Sequence, residues 1–154
     1  MDNRNSRWSW KFYQRQVDYI VHLLEKLING LPYKNVEEYY KIMESMNKDP
    51  NPDTVKLIEG TIFPLEVIQA QEIHNVLPEI WDGMGGNYLW KDWSALGTLL
   101  TQLKVNEAKE VIAFLRLIDS FTIRKRNEEI QKNSKRRDLK SQVPKGKQGI
   151  SING

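Results

Sequence analysis

Apolar residues in this chain recur at intervals of three and four, in segments closed by proline or glycine. That pattern restricts it to short and medium helices packed on one another. Tyr13, Val17, Ile20, Leu24 and Leu27, widened by Phe12, Leu23 and Ile28, predict a helix over Ser6–Asn29, which Gly30 and Pro32 end. Asn35 is placed to cap a second helix, Val36–Met46, with Glu38 in capping-box position. Val36, Tyr39, Met43 and Met46 share one side of it. Pro50 and Pro52 force a loop. Asp53 is placed to cap a short helix, Thr54–Glu59, that Gly60 closes. Pro64 suits the first turn of a helix over Leu65–Leu77, where Leu65, Ile68, Glu72 and Val76 share a face and Val67 and Ile73 lie beside it. Pro78 interrupts that helix and leaves Glu79–Trp81 as one further turn.

The stretch Trp81–Leu103 then joins two helical halves and holds three of the five tryptophans. Gly83, Gly85 and Gly86 permit a sharp reversal, crowded by Trp81, Tyr88, Trp90 and Trp93. One reading is a tight turn whose rings plug the end of a core. The other is a partner-binding knob, since such rings anchor interfaces. Beyond it, Asp92 or Ser94 is placed to cap a helix with Leu96, Leu99, Leu100 and Leu103 on one stripe, and Gly97 inside it marks a close approach of a neighbouring helix. Asn106 is placed to cap the last helix, whose stripe is Val111, Leu115, Ile118 and Thr122 and which continues to Asn133. From Ser134 apolar residues become too few to fold alone. The expectation is an all-α fold: one domain of five to six helices over 1–133 and a basic, flexible or partner-ordered tail over 134–154.

Charge divides the chain in the same place. From Arg124 to Lys147 there are ten basic residues against Glu128, Glu129 and Asp138, a net +7, which leaves −4 for the remainder of a chain whose total is +3. An acidic body with a basic end points to an interaction tail. Arg124, Lys125, Arg126, Lys132, Lys135, Arg136, Arg137 and Lys140 are the candidates to meet phosphates or an acidic protein surface. A solvated tail that only keeps the chain soluble is the alternative.

The chain has no cysteine, which removes disulfides, thiolate metal sites and cysteine nucleophiles. The run Gly83-Met84-Gly85-Gly86-Asn87-Tyr88 lacks the spacing of a phosphate-binding loop, and Lys91 is at the wrong offset. A Glu-x-x-His di-iron motif is absent, because Tyr19 and Gln71 stand three residues before His22 and His74. The acids, among them Glu37, Glu38, Glu72 and Glu110, read as solvent-face charges. The sequence therefore suggests no enzyme, no cofactor, no metal and no small-molecule substrate. The N-terminus lacks an apolar signal core and no run reaches the roughly 18–20 residues of a membrane span, so the expectation is a soluble protein of the cytoplasm, or of a virion.

Small size, the absence of cysteine, frequent Asn and Lys and the basic end are reminiscent of small accessory or structural proteins of tailed bacteriophages, a likeness of composition that no motif carries. The function expected is a non-catalytic structural or adaptor subunit, with other protein subunits as partners and the aromatic turn and tail as contacts. That reading expects Trp90 or Trp93 to be exposed. The alternative is a nucleic-acid-binding protein whose tail meets phosphates, with Trp8, Trp10, Trp90 or Trp93 as stacking platforms. A deep pocket with convergent carboxylates would instead mark an enzyme.

Overall fold

The computed structural model describes residues 4–142, with side chains from residue 13 onward. It is mostly helical, with six helices and one two-stranded sheet among the described residues. The helices are α1 (Arg4–Asn29), α2 (Val36–Ser45), α3 (Pro52–Glu59), α4 (Leu65–Val76), α5 (Leu96–Gln102) and α6 (Ala108–Ser141). Between α4 and α5 lie β1 (Glu79–Trp81) and β2 (Tyr88–Lys91), paired antiparallel. No helix among the described residues is long and apolar enough to cross a membrane.

Helix α6 is the axis of the molecule. Helices α1 and α4 pack along it, β2 lies against it, and α2 packs on α3. Val111, Leu115 and Ile118 of α6 meet Leu23 and Leu24 of α1, Leu57 of α3, and Val67, Ala70, Ile73 and Leu77 of the α4 segment in one buried cluster. Trp93, Leu96, Leu99 and Leu100 close its side. The stripe read on α6 is the buried one, with Thr122 half-buried at its end.

On α4 the inward face is different from the Leu65–Ile68–Glu72–Val76 face. Val67, Ala70 and Ile73 are fully buried, whereas Leu65 and Val76 are 60% and 65% exposed. This helix carries apolar side chains almost all round, so spacing alone does not select a side. Tertiary packing against α6 does.

Local chemistry sets the ends. The Asn35 side chain accepts from the Glu38 N–H at 2.8 Å, and the Glu38 carboxylate accepts from the Lys34 N–H at 2.7 Å, one residue earlier than a capping box requires. Helix α3 is capped by Asn51 rather than Asp53: its side chain accepts from the Asp53 N–H at 2.9 Å and Pro52 opens the helix. Asp53 instead accepts from the Tyr19 hydroxyl at 2.7 Å. Gly60 closes α3 in the left-handed region, φ 74°. At the starts of α5 and α6 the cap positions are Ala95 and Glu107, with no side-chain cap, so neither Asp92, Ser94 nor Asn106 fills that role. Asp92 accepts from the Ser94 N–H at 2.9 Å, a turn preceding α5. Gly97 is exposed, and a Cβ there would meet nothing within 4 Å, so no neighbouring helix among the described residues approaches it.

The α4 assignment is testable by urea unfolding. Ile73→Ala is expected to lower stability by about 2–5 kcal/mol, while Val76→Ala stays within about 0.5 kcal/mol. Equal losses at both positions would reject this packing.

Candidate functional site

Glu79–Trp81 is a strand, not a helical turn, and its partner explains why. Pairing runs Glu79 with Lys91, Ile80 with Trp90 and Trp81 with Tyr88, so Leu89 is an extra residue on β2. Such a bulge reverses the facing of everything after it. Tyr88 and Lys91, three residues apart, therefore both point inward and are buried, while Trp90 faces solvent with 51% exposure. The loop is wound around Asp82. Its carboxylate accepts from the Met84 and Gly85 N–H groups, each at 3.0 Å, and its own N–H donates to Asn87 O at 2.9 Å. A Cβ at Gly85 would stand 2.4 Å from Asp82 Oδ2, and Gly86 has φ +64°, so both positions call for glycine. Met84, at the tip, is fully exposed.

The inner face of the hairpin is fastened to α6 by polar groups. Asn127 receives the Tyr88 N–H on Oδ1 and donates Nδ2 to the Tyr88 carbonyl, both at 3.1 Å, as a third strand would. The Tyr88 hydroxyl donates to Asp119 Oδ1 at 3.1 Å, and His74 Nε2 of α4 lies at 3.1 Å from the same oxygen. A carboxylate accepts, so the His74 hydrogen sits on Nε2. Lys91 reaches the Leu77 carbonyl at 3.1 Å and Glu79 at 3.6 Å. Arg126 holds Glu79 at 2.6 Å and stacks over the Tyr88 ring, 4.8 Å from its centre. Trp81 meets Tyr88 edge to face at 5.4 Å and donates Nε1 to Glu79 at 3.1 Å.

Electrostatics follow from this enclosure. Burial pushes the His74 pKa below the usual imidazole value, against the raising effect of its hydrogen bond to Asp119. Burial and the Asp119 charge raise the Tyr88 hydroxyl far above its ordinary value, so it remains a donor. Burial alone would raise Glu79, but hydrogen bonds from Arg126 and Trp81, with the Arg126 and Lys91 charges, hold it below the usual carboxylate range. In front of the network lies a cleft of about 390 Å³ lined by His74, Asn75, Glu79, Lys91, Lys125 and Arg126 among others. Its charged groups are paired with one another: Lys91 and Arg126 share Glu79, and Lys125 lies 3.9 Å from Glu129.

The four aromatic candidates therefore separate. Tyr88 is a buried anchor, Trp93 packs half-buried on the core, Trp81 is 44% exposed at the hairpin edge and Trp90 stands outward. His22 is on the exposed side of α1, and the side chains of Trp8 and Trp10 lie outside the described residues. The basic candidates separate too. Arg124 pairs with Glu25, Lys125 with Glu129 and Arg126 with Glu79. Lys132, Lys135, Arg136, Arg137 and Lys140 lie on α6 where every residue from Gln131 to Gln142 is exposed, and they form no ion pair among the described residues. The helix does not stop at Asn133; it holds good helix formers and no glycine or proline up to Ser141, with Pro144 three residues beyond. Lys145 and Lys147 lie outside the described residues.

His74, Asp119 and Lys91 were not legible as a unit. The available signal was Asp119, a charged residue directly after Ile118 and four after Leu115, on the buried stripe of α6. No known protein family, curated protein or solved structure matches this chain.

Two expectations concern stability. Because the folded His74 pKa lies below its unfolded value near 6.5, the folded state binds fewer protons there. The His74 contribution is therefore complete above about pH 6.5 and declines as pH falls below that value. Urea unfolding from pH 7.5 to 5 reads this slope, and His74→Gln flattens it; an unchanged slope would show that His74 is not the titrating group. Asp119→Ala leaves the His74 and Tyr88 donors buried without an acceptor and should cost about 3–5 kcal/mol. A loss under 1 kcal/mol would mean the network is not holding the hairpin.

Proposed function

We propose that this protein is a non-catalytic structural or adaptor subunit of a larger protein assembly, a bacteriophage particle being the setting its composition suits. The observation that carries the reading is the outward side of the hairpin. Trp90 and Met84 stand in solvent beside half-buried Ile80, while the opposite side is fixed to α6 through Tyr88 and Asn127. A large apolar group held on a rigid support loses little conformational freedom when it enters a partner's pocket, which favours it as an anchor. The partner expected is a protein subunit presenting an apolar pocket to Trp90. The charged groups of the neighbouring cleft are engaged with one another, which supports a structural rather than a chemical role for them.

A second reading has its own observation. Lys132, Lys135, Arg136, Arg137 and Lys140 form no ion pair among the described residues and sit on an exposed helix, an arrangement that favours binding to phosphates. Lys145 and Lys147 belong to the same proposal, with Trp90 as a stacking surface.

Sedimentation of tagged full-length protein from its native host separates the outcomes. Under the adaptor reading the wild type travels with particles much heavier than a single chain. Trp90→Ser with Met84→Ser returns it to the single-chain position while the thermal midpoint is unchanged. Wild-type protein found only as a free chain would sink the adaptor reading.

A further inference from the structure

The cations of the α6 extension are distributed around the helix in a way that discriminates between polyanions. At about 100° per residue, Lys132, Lys135, Arg136, Arg137 and Lys140 spread over roughly 200° of the circumference. Asp138, the one acid of this stretch, falls in the remaining sector together with Ser134 and Ser141. Exposed Leu139 lies inside the cationic sector, between Lys132 and Lys135.

A flat acidic surface touches one side of a helix, so cations more than half-way round it would leave several pointing away. A single strand likewise follows one side of a rigid cylinder. The major groove of B-form DNA, about 12 Å wide, admits a helix about 10–12 Å across and places phosphates along both walls. The major groove of an RNA duplex is too narrow for this. From Gln131 to Gln142 the helix extends roughly 18 Å, about half of one DNA turn of roughly 34 Å.

We infer that the C-terminal third of α6 is a helix that enters the major groove of double-stranded DNA, with its cations on the phosphates of both strands. This rests on the nucleic-acid reading above and names its ligand and mode. Asp138 on the rear keeps the only negative charge of the stretch away from both walls. Arg136 falls at the middle of the cationic sector, and Leu139 lies about 60° to one side of it.

The test is fluorescence anisotropy of the full chain with labelled duplex DNA, single-stranded DNA and duplex RNA of equal length, from 50 to 200 mM salt. Five phosphate contacts predict roughly 500-fold weaker duplex-DNA binding across that range. Arg136→Ala with Arg137→Ala reduces the slope of log affinity on log salt by about 2. Ser134→Pro interrupts the helix and leaves every charge in place. Its thermal midpoint should stay near that of the wild type, because residue 134 is exposed beyond the core. The expected result is at least tenfold preference for duplex DNA, lost in Ser134→Pro. Equal binding to all three nucleic acids, indifferent to Ser134→Pro, would overturn the groove mode and leave phosphate binding standing. No binding at 50 mM salt would overturn both.

Discussion

The paired hydrogen bonds between Asn127 and the Tyr88 backbone are the contact on which the hairpin depends. Two strands alone are marginal in water, and this pair has only three register partners, one beside a bulge. The Asn127 amide supplies a donor and an acceptor in the geometry of a further strand. It therefore satisfies a backbone that would otherwise be buried with open groups. The Tyr88 ring can then enter the body, where Asp119 receives its hydroxyl. The bulge at Leu89 does the rest, because it turns Lys91 inward and Trp90 outward at the same time.

Helix α6 holds three different jobs in sequence along one rod. Its first part, Val111 to Ile118, is core. Its middle, Asp119 to Asn127, is polar and binds the hairpin. Its last third, from Gln131, is exposed throughout and forms no ion pair among the described residues. This order explains why the arginines and lysines of one apparent basic run behave differently. Arg124, Lys125 and Arg126 lie beside Glu25, Glu129 and Glu79 and are neutralised internally. Lys132, Lys135, Arg136, Arg137 and Lys140 form no ion pair among the described residues. Net charge per segment cannot make that distinction, because it depends on which acids the fold brings near.

Much of the helical framework was legible because it rests on short-range chemistry. Gly30 and Pro32 after α1, Asn35 before α2 and Gly60 after α3 act through their own φ angles and side chains. So did the α6 stripe, where apolar residues occupy one side. The inner face of α4 was not legible, since Leu65 and Val76 compete on composition with Val67 and Ile73 and only α6 decides between them. Nor was the hairpin: three and four residues are too few for a period, and Asn127, 39 residues after Tyr88, completes the sheet. The expected end at Asn133 judged helicity by apolar content. Lysine, arginine and leucine continue a helix without burial, on propensity alone. Of the candidate site, Trp90 and the five distal cations were named from sequence, whereas His74, Asp119 and Lys91 needed the fold to bring them together.

The two exposed features share a mechanical base, and this bears on how an adaptor would use them. Asn127 fixes the hairpin to α6 about 20 Å from Lys140 along the helix axis. No flexible joint separates them, because α6 runs unbroken from Ala108 to Ser141 without proline or glycine. A partner on Trp90 and a polyanion on the extension would therefore be held at a fixed separation and orientation. Two weak contacts on such a rod reinforce each other by raising effective concentration, provided both targets lie at that spacing. The polar network under Tyr88 is then more than a way to bury a tyrosine. With both proposed partners bound, it would hold one contact in place relative to the other, which a hairpin held only by apolar packing would do less rigidly.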